Sequence, residues 1–178
     1  ETIYKTGSHL REVLNYYMPK IKRSDVITKL GLEKGGFFIV SAHREENVDC
    51  KEKLTEFVST LEAVANHYKL PIIMSVHPRT RKKIDQLDLK FPSLVQLHKP
   101  LGFFDYINLQ INAKAVLSDS GTITEEASIL NFPAINIRDV HERPEGMEEG
   151  VAMFTGVNCD RILQALKILE LQARGDKR

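Results

Sequence analysis

Residues 118–126, SDSGTITEE, combine the side chains and the backbone freedom that suit a phosphate-binding loop. The stretch follows the apolar run AKAVL and precedes ASILNFP, which has the composition of a helix. Gly121 lies at the turn, where a residue without a Cβ lets a ligand approach the backbone. The N–H groups of the first helical turn attract phosphate, and Ser118, Ser120 and Thr122 add hydroxyls. The sequence therefore predicts half of a phosphate site.

Two glutamates follow in the first turns of the predicted helix, although carboxylates repel a nearby phosphate. Thr122 and Glu125 have the spacing of a capping box, which would fix the start of the helix. Glu126 would then point elsewhere, and a carboxylate further along a nucleotide meets the ribose hydroxyls. A capped helix with glycine for close packing is the alternative interpretation.

Polar groups also follow two other predicted strands, in SAHREENVD (41–49) and VHPRTRKK (76–83). His43 follows the first strand and His77 ends the second, so we expect both at the same edge of the sheet. A solvated loop with a satisfied histidine is the alternative, and the Arg/Lys run after His77 fits an exposed helix face. No second histidine has ligand spacing, so no metal site is expected.

A fourth polar segment, RDVHERPEGMEEG (138–150), follows the apolar run PAINI. Arg143 offers a planar fork to phosphate oxygens, and Pro144 would fix the chain beside it. Three of these predicted strand ends, which carry His43, Gly121 and Arg143, thus present anion-compatible groups to one crevice. This convergence favours a phosphorylated ligand.

The elements that must position these groups follow from an alternation of short apolar runs and amphipathic stretches. Asp49 and Glu52 form the cap signature of the clearest helix, in which apolar residues recur at spacings of three and four. Parallel neighbours need crossovers that cover both faces, so the pattern predicts an α/β fold with a doubly wound, Rossmann-like parallel sheet. Strands are predicted at 37–42, 71–76, 93–97, 113–118, 133–137 and 151–154, and other helices at 8–18, 24–30, 79–89, 103–112, 122–131 and 160–173.

Composition narrows the class of protein. The 178 residues are 42% hydrophobic and 28% charged with a net charge of +1, so a broad basic surface for nucleic acid is not expected. No apolar run approaches the roughly 18 residues of a membrane span. Cys50 and Cys159 lack metal-ligand or disulfide spacing, which fits a reducing cytoplasm. Because the chain begins at Glu1 rather than at Met, we expect a fragment.

The segments SAHREEN, SDSGTITEEASIL and RDVHERPEG, in this order and spacing, closely resemble the C-terminal half of the non-hydrolysing UDP-N-acetylglucosamine 2-epimerase family. The resemblance runs from about residue 3 to about residue 170. Thr122 and Thr124 stand where the family more commonly has Gly and Gln, and DVHERPEGM replaces Asp-Thr-Thr-Glu-Arg-Pro-Glu. With ETIYKTGS and GFFDY, these departures resemble the capsule and O-antigen branch that forms UDP-N-acetyl-L-fucosamine from its C2 epimer.

This resemblance implies a two-domain enzyme of the glycosyltransferase-B architecture that binds a UDP-sugar between two Rossmann-like halves. Residues 1–178 would form the second half, a single UDP-binding domain, and the N-terminal domain would be absent. Epimerisation would proceed by loss of the C2 proton with anti departure of UDP, followed by re-addition of UDP. No cofactor or metal is implied. The carboxylates that act at C2 belong to the absent half, so the fragment would bind UDP weakly and without turnover. The full-length enzyme would be a homodimer.

The resemblance also assigns roles to single residues. His43 would lie beside the diphosphate and C1, where a protonated imidazole stabilises the charge on departing UDP. Tyr106 would lie near the uracil, and Arg143 would bind the phosphate that leaves. The other implied contacts are Ser120 and Gly121 with the diphosphate, Glu126 with the ribose, and Arg44 and His77 with a second, regulatory nucleotide-sugar pocket.

Two other functions use the same fold. A UDP-sugar glycosyltransferase half would also bind its donor with such a loop, and a non-catalytic nucleotide-sugar-binding module is the other alternative. The HREEN and HERPEG segments favour the epimerase over the transferase. Sequence upstream of Glu1 would separate an enzyme from a binding module.

Overall fold

The computed structural model describes residues 8–44, 50–138 and 150–172. Its strands form one six-stranded sheet in the order β3-β2-β1-β4-β5-β6, with every neighbouring pair parallel. This arrangement confirms the predicted parallel α/β sheet. The strands are β1 (Phe38–Ser41), β2 (Ile72–Ser75), β3 (Val95–His98), β4 (Ala115–Ser118), β5 (Ala134–Asn136) and β6 (Ala152–Phe154).

The helices of the described residues lie where the amphipathic stretches predict them. They are α1 (Leu10–Lys22), α2 (Val26–Lys29), α3 (Lys51–Tyr68), α4 (Pro78–Gln86), α5 (Phe103–Asn112), α6 (Ile123–Leu130) and α7 (Cys159–Leu171). None of them is long and apolar enough to cross a membrane.

Three helix boundaries differ from the predictions. Helix α1 continues past Pro19 because Ile21 is buried against Ile107, so tertiary packing outweighs the lost backbone bond. Helix α4 ends early, and Asp88 two residues later has a φ of 46°, which a right-handed helix does not accommodate. The N-cap of α3 is Cys50 rather than Asp49, which lies outside the described residues.

Alternate strand residues face opposite layers, as expected for a sheet covered on both sides. Phe38, Met74 and Leu117 belong to the core beneath α3, α4 and α7. Ile39 and Val116 belong to the core beneath α2, α5 and α6. Helix α1 forms a further layer on α5, where the side-chain amide of Asn108 donates to the carbonyl of Ile21 at 2.8 Å.

The connection between β1 and β4 determines where a ligand can enter. The chain runs from β1 to β2 and β3 on one side, then returns to β4 on the other side of β1. In open parallel sheets the loops that leave two such strands diverge, which opens a crevice at their carboxyl ends. The loops that follow β1 and β4 are those of His43 and Ser120.

Candidate functional site

An open cavity of about 230 Å³ lies at the carboxyl ends of β1, β2 and β4. Helices α5 and α6 and the loops that contain His43, Leu101 and Ser120 contribute the rest of its wall. Four predicted site residues line it together: His43, Tyr106, Ser120 and Glu126. Its other lining residues are Ser41, Ser75, Leu101, Phe103 and Ser118.

Three serines form the inner end of this cavity, and we call them the serine row. Ser41 pairs with Ser75 on one side and with Ser118 on the other, so the three lie at one level of the sheet. All three are buried. Neither Ser41 nor Ser75 is among the predicted site residues, although each ends an apolar run of branched side chains.

The ring of His43 lies against this row, with Nε2 2.8 Å from Oγ of Ser41. Its centroid is 6.1 Å from the ring centroid of His77. Partial burial lowers the pKa of His43, the carboxylate of Asp119 opposes that shift, and His77 adds to it. A hydrogen bond with the Ala42 backbone also raises the pKa. The net direction is downward, so the ligand-free ring is mostly neutral near pH 7.

Asp119, which is not among the predicted site residues, connects the two loops that flank the crevice. Both of its carboxylate oxygens accept from the backbone N–H of His43, at 3.1 and 2.9 Å, and one also accepts from that of Arg44 at 2.8 Å. The Asp119 N–H in turn donates to the Ser41 carbonyl at 3.2 Å. Because the residue is 1% exposed, these donors stabilise a buried charge.

The loop between β4 and α6 does not contain the predicted capping box. The N-cap, Thr122, makes no side-chain capping bond, because its hydroxyl instead donates to Oε1 of Glu126 at 2.7 Å. Glu125 accepts from the hydroxyl of Ser8 at 2.8 Å. The Ser120 hydroxyl takes over part of the capping role and accepts from the N–H of Thr122 at 3.3 Å. Within the described chain no hydrogen bond engages the Gly121 amide, so that donor is available to a ligand.

Glu126 is held from two sides. The side-chain amide of Gln110 donates to Oε2 at 2.7 Å, and Thr122 donates to Oε1. Each carboxylate oxygen retains a second acceptor position. The fixed carboxylate is therefore preorganised to accept from two neighbouring hydroxyls.

Tyr106 forms the wall between the serine row and Glu126. Its side chain lies beside those of Ser41 and Gln110. Burial raises the pKa of the Tyr106 phenol well above its usual value, and the Glu126 carboxylate raises it further. The phenol therefore keeps its proton at any physiological pH. Phe103, which is 42% exposed, lines the cavity from the same helix.

Not all predicted site residues line this cavity. His77 is the N-cap of α4, where its Nδ1 accepts from the Arg79 N–H at 3.3 Å. Arg44 is fixed to Asp119 through its backbone. Arg143 and Pro144 lie outside the described residues.

A larger cleft of about 860 Å³ lies beside the cavity, between α4 and the residues after β3. Arg81, Lys82 and Lys99 are exposed at its border, and Arg81 is paired with Asp85. The residues suited to chemistry line the smaller cavity, so we assign the candidate site there. In the described part of the chain no group of three or more His, Cys, Asp or Glu residues is arranged to hold a metal ion.

Comparison with known proteins gives a consistent result. The family model described as UDP-N-acetylglucosamine 2-epimerase matches residues 1–177. A relative of that name from Methanocaldococcus jannaschii is 36% identical over 137 residues, covering 75% of this chain and 37% of the relative. The chain spans about half the length of such relatives or less.

Solved structures of similar proteins also match this chain over nearly its whole length, and it covers about half of each of the two epimerases. A UDP-N-acetylglucosamine 2-epimerase from Rickettsia bellii is 42% identical with a TM-score of 0.82, covering 93% of this chain and 44% of that one. The M. jannaschii enzyme, solved with UDP-GlcNAc and UDP, is 28% identical with a TM-score of 0.86, covering 98% and 50%. An E. coli ADP-heptose heptosyltransferase, at 13% identity and a TM-score of 0.60 over 94% of this chain and 53% of its own, shares the fold alone.

Proposed function

The chain belongs to the UDP-N-acetylglucosamine 2-epimerase family, and from that premise we propose that it is the UDP-binding half of a UDP-sugar 2-epimerase. The observation that carries the proposal is the cavity at the β1/β4 crevice. His43, Tyr106, Ser120 and Glu126 all line this cavity, although they come from three separate segments of the sequence.

The size of the cavity agrees with a half-site. Pockets for whole small molecules usually measure about 300–1,000 Å³, which exceeds the 230 Å³ found here. We propose that the described residues hold part of the nucleotide and that the sugar projects out of the opening. A second domain would then close over the sugar.

Each side chain has a proposed role along the nucleotide. The diphosphate binds the Gly121 amide and the Ser120 hydroxyl, and Glu126 accepts from the ribose hydroxyls. Tyr106 lies near the uracil, and Arg143 binds the phosphate that departs. Arg44 and His77 are proposed for a second, regulatory nucleotide-sugar pocket, next to the first because the rings of His43 and His77 are 6.1 Å apart.

The proposed reaction is an anti elimination, in which the C2 proton and UDP leave from opposite faces of the sugar, followed by re-addition of UDP with protonation at C2 from the other face. Charge builds on the UDP oxygen as the bond to C1 breaks. We propose that His43 in its protonated form stabilises that charge, since its ring lines the same cavity as Ser120 of the proposed diphosphate site.

For the sugar we propose UDP-N-acetyl-L-fucosamine as product, formed from its 6-deoxy-talose C2 epimer for capsule or O-antigen synthesis. The support is the set of departures within SDSGTITEE and DVHERPEGM. We further propose that the full-length protein is a cytoplasmic homodimer whose other domain supplies the acid and base at C2.

Calorimetric titration with UDP tests the binding function. We expect the 178-residue chain to bind UDP, and Arg143→Ala to weaken binding about tenfold by removing a charge-assisted bond to phosphate. Arg11→Ala, at an exposed position on α1, is the control and should bind as wild type does. No binding by the wild-type chain would rule out the proposal.

Binding of a UDP-sugar should strengthen as the pH falls from about 8 to about 6. Burial lowers the pKa of His43 in the free protein, whereas a bound diphosphate raises it, so binding takes up a proton between the two pKa values. The affinity then rises about tenfold for each pH unit between the pKa of His43 in the complex and its pKa in the free protein. Below the lower of these two pKa values it levels off.

UDP-N-acetylglucosamine is the ligand for this measurement, because the terminal phosphate of UDP itself titrates near pH ~6. His43→Gln should remove the pH dependence. His67→Gln, an exposed position on α3, should retain it. An equal dependence of affinity on pH in both variants would show that His43 is not the group that takes up the proton.

We also expect no detectable epimerisation by this chain alone, because the carboxylates that act at C2 are proposed to lie in another domain. The assay follows exchange of the C2 proton of the UDP-sugar with deuterated solvent. Exchange above that of a buffer blank would contradict the proposal that the C2 acid and base lie in another domain. Transfer of the sugar to an added acceptor would favour the glycosyltransferase alternative.

A further inference from the structure

One buried side chain outside the cavity has its amide turned to Glu126. Gln110 lies on α5 four residues after Tyr106, so both side chains project from the same face of the helix. Tyr106 lines the cavity, whereas Gln110 does not line it and is 1% exposed. The Nε2 atom of Gln110 donates to Oε2 of Glu126 at 2.7 Å. Gln110 therefore holds the carboxylate from within the protein and leaves the space for a ligand open.

The orientation of this amide follows from its partner. An ionised carboxylate only accepts hydrogen bonds, so the amide nitrogen and not the amide oxygen must face Glu126. In this orientation Oε1 of Gln110 is buried and has no hydrogen-bond partner among the described residues. An unpaired buried carbonyl group lowers stability, whereas an apolar side chain of similar length would not. The sequence thus retains a donor at a position where stability alone favours an apolar residue.

A second donor completes the support of Glu126. Thr122 precedes Glu126 by four residues, and its hydroxyl donates to Oε1 at 2.7 Å. The two carboxylate oxygens are thus held by donors from two elements, α5 and the N-cap of α6. Thr122 is exposed, so water competes for its hydroxyl, whereas Gln110 is shielded from water. The buried amide is therefore the stronger constraint on the direction of the carboxylate.

We propose that Gln110 is a positioning residue, which fixes the Glu126 carboxylate so that it accepts from two neighbouring hydroxyls of a bound ribose. The ribose role of Glu126 rests on the proposed function, whereas the hold of Gln110 on Glu126 rests on contacts within the chain. A carboxylate that rotates freely must be ordered when a ligand binds, which lowers affinity. A fixed carboxylate avoids this cost for ligands that carry both hydroxyls. Gln110 thereby contributes to a preference for ribonucleotides over deoxyribonucleotides.

Gln110→Met tests this role, because it retains the length of the side chain and removes the donor. In calorimetric titrations we expect UDP binding to weaken about threefold to tenfold. The preference for UDP over 2′-deoxy-UDP should fall from about tenfold in wild type to about twofold or less. The midpoint of urea unfolding should stay close to that of wild type, because loss of the unpaired Oε1 offsets the lost bond. A wild-type preference in this variant would overturn the proposal.

Asn108→Leu is the matched control. Asn108 is a buried amide of the same helix, but it donates to the carbonyl of Ile21 on α1, at 2.8 Å. We expect this variant to unfold at a lower urea concentration and to retain the preference for UDP over 2′-deoxy-UDP. Gln110→Met should show the opposite combination. A merely structural role of Gln110 predicts the same result for both variants, and that result would contradict the proposal.

Gln110→Glu keeps the shape of the side chain but replaces the donor by an acceptor. Near pH ~8 the introduced carboxylate repels that of Glu126, so the preference for UDP over 2′-deoxy-UDP should be lost. The neighbouring charge raises the pKa of the introduced carboxyl, which takes up a proton toward pH ~6 and can then donate to Glu126. The preference should return with that proton, while the phenol of Tyr106 beside it stays protonated throughout. A wild-type preference near pH ~8 would show that no donor is needed at this position.

The ratio of the two affinities isolates this effect. UDP and 2′-deoxy-UDP carry the same phosphates, so protonation of phosphate or of His43 changes both affinities alike. In wild type the ratio should therefore stay constant between pH ~8 and pH ~6, even as both affinities rise. A ratio that changed equally in wild type and Gln110→Glu would contradict the donor role.

Carbon-13 NMR relaxation of the ligand-free chain separates this inference from the proposed function. We expect the order parameter of the Glu126 side chain to match that of rigid backbone, about 0.85, in wild type and to fall below about 0.6 in Gln110→Met. Asn108→Leu should leave it high. This fall without UDP binding by any variant or by wild type would refute the nucleotide role and leave the hold of Gln110 on Glu126 intact. UDP binding with equal order parameters in wild type and Gln110→Met would do the reverse.

Discussion

Asp119→Ala is expected to lower the free energy of unfolding by about 2–3 kcal/mol and to abolish measurable UDP binding. The substitution removes the acceptor of the backbone N–H groups of His43 and Arg44. Relief of the buried charge offsets part of this loss, but two amides at the edge of the crevice lose a charge-assisted bond. The loop of His43 is then no longer held against the loop of Ser120.

Urea unfolding followed by circular dichroism measures the stability change, and calorimetry measures binding. Asp105→Ala is the control, because that carboxylate accepts a single bond, from the Ser24 hydroxyl at 2.6 Å, away from the crevice. We expect it to cost about 1 kcal/mol and to leave UDP affinity unchanged. Equal costs for the two variants would show that Asp119 does not link the loops.

Glu126→Gln is expected to weaken UDP binding by between about tenfold and about a hundredfold, because it removes a charged acceptor for ribose hydroxyls. The variant also places an amide opposite Gln110 and Thr122, which both donate to the native carboxylate. Comparison of UDP with 2′-deoxy-UDP separates these effects. The wild-type chain should prefer UDP by about tenfold, and the variant should show almost no preference.

The neighbouring carboxylate provides the control for this measurement. Glu125 accepts from the Ser8 hydroxyl and does not line the cavity. Glu125→Gln should therefore retain the preference for UDP over 2′-deoxy-UDP. If Glu126→Gln also retained it, the ribose would have to bind elsewhere.

The sheet was predictable from sequence because its strands are short runs of branched apolar residues, such as FFIVS and PIIMS, separated by amphipathic stretches. That pattern requires burial on both faces and therefore parallel pairing. Placing His43 beside Ser120 needed no more than the rule that ligands bind at the carboxyl ends of such strands.

The contacts that organise the site were not predictable in the same way. Asp119 stands between two serines, in a segment with the composition of a turn. Its partners are nevertheless the backbone amides of His43 and Arg44, which lie 76 and 75 positions earlier in the sequence. The capping box failed because Thr122 bonds Glu126 instead of its own helix backbone. Both outcomes depend on side-chain directions that local spacing does not specify.

The serine row makes the proposed ligand site depend on the register of the strands, because its three hydroxyl groups come from paired positions on neighbouring strands. A slip of one residue in β1 would replace Ser41 by Val40 or Ala42 and turn every side chain of that strand toward the opposite layer. A misaligned molecule would thus lose its hydroxyl lining together with its packed interior. Nucleotide affinity can accordingly serve as an assay of correct folding, since only molecules with native strand alignment retain it.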